Sequence, residues 1–189
     1  MAPRIALTAR ATSQVDYSLS IGSTLRAAMR AAPVRAVASS MVAPFFALVS
    51  KEPSVSALKG KILGVSDFGG TNFQVTKMVL THYGLVPLKD VQVLSIGEEK
   101  VILDALVAGR IHGATLSPPW PFEAEKHGFK IMLKASDVVQ FHFAGICTIW
   151  IRSRIIGNRS RKLFRAEIDA LRFIRERRQE TVNLLKSFC

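Results

Sequence analysis

Cysteine is almost absent: Cys147 and Cys189 are the two thiols of the 189-residue chain. Two such distant residues exclude a disulfide scaffold and any multi-thiolate zinc or iron–sulfur site. Long apolar runs are also missing. The longest, 42–49 and 144–151, have the length of buried strands and fall short of the roughly 18 residues that a membrane-spanning helix needs, so a soluble protein is expected. Residues 1–13 include Arg4 and Arg10 but no continuous apolar stretch; no secretory signal is expected there, and any export would be directed from outside this chain. Catalytic patterns are sparse too. His82, His112, His127 and His142 show no metal-ligand spacing such as His-Glu-x-x-His, and the sequence holds no Walker element, dinucleotide fingerprint or nucleophile–base–acid set. No metal, cofactor or catalytic residue is therefore expected, and binding fits better than catalysis.

What the chain has in quantity is apolar bulk and positive charge. Apolar residues make up 49% and charged residues 21%, enough for a sizeable core and unlike a disordered chain. The length suits one ordinary domain or two small lobes. Net charge is +12, and residues 151–189 carry 11 Lys/Arg against four Asp/Glu. A polyanion or an anionic membrane would suit such a tail. Yet Leu163, Phe164, Ile168, Leu171, Ile174, Val182 and Leu185 recur at helical spacing, which places the arginines on the opposite, solvated face of a helix. No aromatic interleaving, helix-turn-helix or RNA-binding pattern accompanies them, so no nucleic-acid partner is expected.

Periodicity gives an alternation of helices and strands. Helices are expected at 3–12, 23–31, 71–83, 98–108, 119–127 and along the basic tail. Strands are expected at 15–20, 34–38, 45–50, 62–66, 91–96, 113–117, 130–133 and 146–151. Strands separated by helices imply an α/β fold with mostly parallel sheets and right-handed crossovers. Two internal parallels point to two related lobes. Ala6-Leu7-Thr8-Ala9 followed by 15–20 matches Ala105-Leu106-Val107-Ala108 followed by 111–117: a helix end, a turn, and a short strand delivering a hydroxyl residue. Gly22-Ser23-Thr24 likewise matches Gly69-Gly70-Thr71-Asn72 as a glycine–hydroxyl turn opening a helix. The first lobe is expected to combine 1–50 with 147–189 and the second to span 62–146, with connections at 51–61 and 141–146.

The two turns are the candidate ligand contacts. A helix N-terminus exposes unpaired N–H groups and a partial positive charge, and a preceding glycine lets a ligand approach the backbone. Ser23, Thr24, Gly69, Gly70, Thr71 and Asn72 meet that requirement twice. N-capping alone accounts for any one of them, so capping and ligand contact both stand. Ser117 falls at a strand end, where open α/β sheets place ligands, and Trp120 either stacks on a flat ligand or packs between lobes. Phe45 and Phe46 carry the same ambiguity. Asp67, the acid beside the glycine turn, either meets a cationic group or caps the turn. Cys147, in an apolar strand pattern, reads as an inert core thiol.

Taken in order, several stretches resemble a known family. They are Val15-Asp16-Tyr17 with Ile21-Gly22-Ser23, Leu58-Lys59-Gly60-Lys61-Ile62-Leu63-Gly64-Val65, Gly69-Gly70-Thr71, Ala105-Leu106-Val107-Ala108-Gly109-Arg110-Ile111, and Leu116-Ser117-Pro118-Pro119. The family is the nitrate/sulfonate/taurine-type substrate-binding proteins of ABC transporters, which includes thiamine-precursor binders. The resemblance implies a two-lobed type II periplasmic-binding-protein-like fold that closes on a small, anionic or planar molecule. It further implies that the Gly-Ser-Thr and Gly-Gly-Thr turns line the cleft, and that a monomer in the periplasm or cell envelope hands its ligand to a membrane permease. Compared with that family the first lobe is expected to be incomplete, the chain being truncated at both ends. His112 stands where an Asp is common, and Gly157-Asn158-Arg159-Ser160-Arg161 replaces an acidic start of the tail helix. The alternatives on the same scaffold are a thiamine-pyrimidine-synthase-like enzyme, whose cysteine-rich motif is missing here, and the ligand-sensing half of a transcription regulator, whose winged helix 1–13 is too short to supply.

Overall fold

The computed structural model describes residues 16–149 and 157–188. In chain order the elements are β1 (Tyr17–Ser20), α1 (Ile21–Ala28), β2 (Val34–Ala36), β3 (Ala47–Ser50), β4 (Ile62–Val65), α2 (Thr71–His82) and β5 (Gln92–Ser95). They continue as α3 (Glu99–Val107), β6 (Gly113–Leu116), α4 (Trp120–Lys126), β7 (Lys130–Lys134), β8 (Ala144–Ile149), α5 (Gly157–Glu176) and α6 (Arg178–Phe188). The helix expected at 3–12 lies outside the described residues.

Five strands build the larger sheet in the order β5-β4-β6-β3-β7. β4 runs parallel to β5 and to β6, because α2 and α3 return the chain to the same edge before each next strand. β3 lies between β6 and β7 and opposes both. It enters from the other sheet without a crossover helix. The smaller sheet, β1-β8-β2, is antiparallel throughout. The α/β class holds, but the larger sheet is mixed and the smaller antiparallel rather than both being mostly parallel, since only strands joined by helical crossovers share a direction.

β3 falls within the segment 1–50, yet its ladder partners belong to the larger sheet. Residues 37–41 are still bonded to β8 through the Val37 and Ala38 amides, both donating to the Ile146 carbonyl, and through the Met41–Ala144 bridge. The chain therefore passes between sheets at 42–46, not at 51–61, and returns at 141–143. Residues 51–61 pack on the larger sheet instead, with Val55 and Leu58 buried in its core.

Alternation along β3 shows how the core is split. Leu48 points to a cluster with Leu58, Leu63, Val75, Val79 and Leu80. Its neighbour Val49 points to the opposite face, among Ile102, Leu106, Leu116 and Phe129. α2, α3 and α4 end alike at Gly84, Gly109 and Gly128. The residue after each glycine donates back to the carbonyl five positions earlier: Leu85 to Leu80, Arg110 to Ala105 and Phe129 to Ala124. The basic tail is two helices interrupted at Arg177 rather than one. Its apolar stripe is not a packed face among the described residues: Ile168, Leu171 and Ile174 are 55%, 43% and 52% exposed. No helix among the described residues is long and apolar enough to cross a membrane.

Candidate functional site

β4 and β6 are parallel neighbours, so their carboxyl ends emerge side by side, and the residues that follow them, Ser66 and Ser117, face one cavity of about 420 Å³. Gly70, Thr71 and Asn72 bring the N-terminus of α2 to it, and Leu19 and Ser20 bring the end of β1. Phe45, Phe46 and Phe143 close it from the two places where the chain changes sheet, and Glu99 completes the lining from the start of α3. A space of this size at the carboxyl ends of parallel strands is where such folds hold small molecules.

Of the residues read from sequence, Gly70, Thr71, Asn72 and Ser117 meet at this cavity. Ser23 and Thr24 do not line it. Their hydroxyls donate back to the Ser20 carbonyl at 3.3 and 2.7 Å within the first turn of α1, and both residues are buried. It is Ser20 that faces the space. Gly69 also stands outside: its amide donates to Asp67 Oδ1 at 2.7 Å and its carbonyl accepts from Arg26 Nη2 at 3.1 Å. Trp120 packs against the core cluster beneath α3 and α4 instead of stacking in the cleft. Asn72, although in the lining, is a structural tie: buried, it donates from Nδ2 to the Thr115 carbonyl at 2.5 Å, and its Oδ1 accepts from the Ser66 amide at 3.4 Å.

The tips of α1 and α2 touch. A Cβ at Gly22 would lie 3.0 Å from Thr71 Oγ1, so a larger residue there would require the Thr71 side chain to give way. Arg26, one turn along α1, reaches past this contact to the Gly69 carbonyl. Partial burial lowers its guanidinium pKa and the carboxylate of Asp67 opposes that shift. Asp67 thus closes a turn and faces a protein cation, which accounts for it without a ligand. His112 is likewise structural, its Nδ1 accepting from the Ile62 amide at 3.3 Å.

The residue that sequence reading missed is Glu99. Its Oε2 accepts from the Ser117 hydroxyl at 2.7 Å and from the Ser117 amide at 2.9 Å. Burial raises its pKa above the ordinary carboxylate value, against those two hydrogen bonds, which favour the charged form. In sequence, an acid opening a helix reads only as a partner for the helix dipole. A raised carboxyl keeps its proton in the folded state at a pH where the unfolded chain has lost it. The resulting stability is fully present below the unfolded pKa and is lost as pH rises through the folded value. The unfolding free energy of wild type minus that of Glu99→Gln is therefore expected to fall as pH climbs through this window. Urea unfolding at a series of pH values measures it, and a difference that stays constant would refute the assignment.

The sequence matches the family model described as NMT1/THI5 like over residues 2–151. The chain belongs to the NMT1/THI5-like family. Among solved structures it is similar to the periplasmic aliphatic sulphonate binding protein SsuA from Escherichia coli, with a TM-score of 0.81 at 16% identity over 98% of this chain and 65% of that one. The alkanesulfonate-binding protein SsuA from Xanthomonas axonopodis pv. citri, bound to MOPS, gives 0.81 at 16% over 99% and 66%. The Candida albicans CA3427 gene product, described as having the generic periplasmic binding protein structural fold, gives 0.74 at 14% over 98% and 63%. At these identities the likeness is one of fold, and this chain spans less than two thirds of each protein's own length. No curated protein sequence matches it.

This NMT1/THI5-like chain carries a second, drier cavity next to the first. It has about 250 Å³ and is lined by Phe45, Phe46, Pro118, Pro121, Phe122 and Ile131, among others. Phe45 and Phe46 wall both spaces. Their rings meet Phe143 edge-on, with centroids 4.9 and 5.5 Å apart.

Proposed function

We propose that this chain is the solute-binding component of an ABC importer and holds a small molecule in the cavity between its two sheets. The observation that supports this best is the cavity's place. It lies where the chain twice changes sheet, between the end of β1 on one side and the ends of β4 and β6 on the other. Movement of one sheet against the other about 42–46 and 141–143 would open and close it. Gly70, Thr71 and Ser117 are the contacts we assign to the ligand, with Ser20 taking the place of Ser23 and Thr24. The fold neighbour named as a periplasmic binding protein and the family match support the binding reading, and to it we add a membrane permease as partner, a periplasmic or cell-envelope site of action and a monomeric state. A binding role is preferred to an enzyme's because the sulfonate-binding fold neighbours are named for binding, and the buried Cys147 does not line the cavity.

Thermal unfolding against a panel of small sulfonates, carboxylates, amidines and aromatic amines tests this. A true ligand at a hundred times its Kd is expected to add about 2.7 kcal/mol of stability. Gly70→Val, whose Cβ would sit 2.8 Å from Asp67 Oδ2 and so displace the turn that carries Gly70 and Thr71 into the cavity lining, is expected to abolish that gain while keeping its circular dichroism. Absence of stabilisation by every member of the panel, or an undiminished gain in the variant, would overturn the proposal.

A further inference from the structure

The tail carries a surface that the rest of the described fold leaves open. α5 and α6 make their main helix contacts with each other. Ile168, Leu171 and Ile174 share one face of α5, and all three are exposed. The apolar surface continues in α6 with Val182 and Leu185, also exposed. Beside the stripe runs a row of arginines, Arg161, Arg165 and Arg172, spaced by four and then seven positions along the same helix. Acids do not neutralise this surface: residues 157–188 hold nine Lys/Arg against four Asp/Glu. Asp169 and Glu180 each pair with one arginine, Arg172 and Arg177, at 3.4 Å. Arg161, Arg165 and Arg175 have no ion-pair partner among the described residues.

We propose that α5 and α6 lie on the surface of an anionic lipid bilayer, with the apolar stripe at the acyl boundary and the arginines among the headgroups. A helix that is polar overall, with one apolar face and a basic border, is built for that interface. α5 spans 20 residues, about 30 Å of axis, and a bilayer offers apolar depth and negative charge along all of it. Arginine suits the border, because its stem lies along apolar surface while its guanidinium reaches phosphate. Other occupants fit less well. A second copy would set these unpaired arginines against their own kind, and a nucleic acid has no use for an open apolar stripe. Glu167, four positions before Leu171 and seven before Ile174, falls inside the stripe, which keeps insertion shallow and attachment reversible. Neither tail helix is long and apolar enough to cross the membrane, so the tail lies on it. No tail residue lines the cleft, and bilayer contact and ligand binding therefore stand or fall separately.

Flotation of the full chain with two kinds of vesicle tests this: pure phosphatidylcholine, and equal parts phosphatidylcholine and phosphatidylglycerol. Partition into the anionic vesicles is expected to be at least about tenfold stronger at low salt and to fade as salt rises toward about 1 M. Charge attraction of the whole protein would give the same contrast, so the stripe is tested by itself. Ile168→Gln, Leu171→Gln and Ile174→Gln together leave every charge in place and keep good helix formers at exposed positions. That triple variant is expected to bind the anionic vesicles at least about tenfold more weakly. Where it does not fold, Ile168→Gln alone repeats the comparison, with a loss of about threefold expected. Undiminished binding by the folded variant, equal binding to both kinds of vesicle, or binding to neither would overturn the proposal. Sedimentation velocity without lipid reads the other occupant: a dimer that the stripe variant disperses would assign the face to a second copy and overturn it as well.

Discussion

Gly145→Ala is expected to unravel the three-stranded sheet. Gly145 lies in β8, the central strand of that sheet, with φ at +154°, a conformation that side chains rarely adopt. A Cβ there would run into the carbonyl oxygen of Ala38, and would lie 2.6 Å from Ser39 Cα and 2.8 Å from Ile21 Cδ1. Two of those neighbours are backbone, so relief requires the strand partner to move. Backbone strain of this kind costs about 1–3 kcal/mol and overpacking about 1–3 kcal/mol more, a large part of the stability of a small domain. Hydrogen exchange should show the β1 and β8 amides losing protection while those of β4 and β6 keep theirs. Gly60→Ala is the control: it too has positive φ, at +77°, but nothing lies within 4 Å of its Cβ position. Equal losses in the two variants, or a Gly145→Ala protein as stable as wild type, would contradict this account.

The second large effect is expected for Phe46→Ala. Phe46 is 7% exposed and belongs to the cluster with Leu48, Leu58 and Leu63, while its ring meets Phe143 at 90°. Truncating a buried phenylalanine costs about 3–5 kcal/mol, from lost burial and from the void left behind. This residue also walls both cavities, so its removal is expected to join the polar cavity to the apolar one. Phe45, 45% exposed, faces the same spaces without the core contacts, and Phe45→Ala is expected to weaken ligand binding at a much smaller cost in stability. Denaturant midpoints together with ligand affinities separate the two roles. A Phe46→Ala protein no less stable than Phe45→Ala would show that the ring is not part of the core.

Most element types could be read along the chain because each rests on local pattern. The glycines at 84, 109 and 128 end three helices, and the runs that form β3, β4 and β6 are short, apolar and bounded by turns. Direction and partnership were a different matter. That β3 slots between β6 and β7, opposed to both, depends on which sheet has a free place for it, and no periodicity encodes that. The tail shows the converse. Its apolar stripe is plain in the sequence, yet Ile168, Leu171 and Ile174 stay exposed among the described residues, because spacing says which residues share a face and not what the face meets.

At the cleft the same division holds. The glycine–hydroxyl turn before α2 was legible, since a ligand or a cap at a helix start calls for the same small residues. Which hydroxyls face the cavity was not. Ser23 and Thr24 satisfy the first turn of α1 with their own side chains, and Ser20 takes the place that faces the cavity. Glu99 and Ser117 are 18 positions apart and meet only because α3 begins beside the end of β6.

The amino-acid order by itself determined the α/β class, the short strands and the glycine-ended helices, since these follow from spacing and from backbone preferences acting within a few residues. Only the tertiary structure decided the mixed larger sheet, the touching tips of α1 and α2, and the meeting of Glu99 with three phenylalanines in one cavity. Those depend on which distant segments exclude water from one another, and that is settled when the whole chain packs.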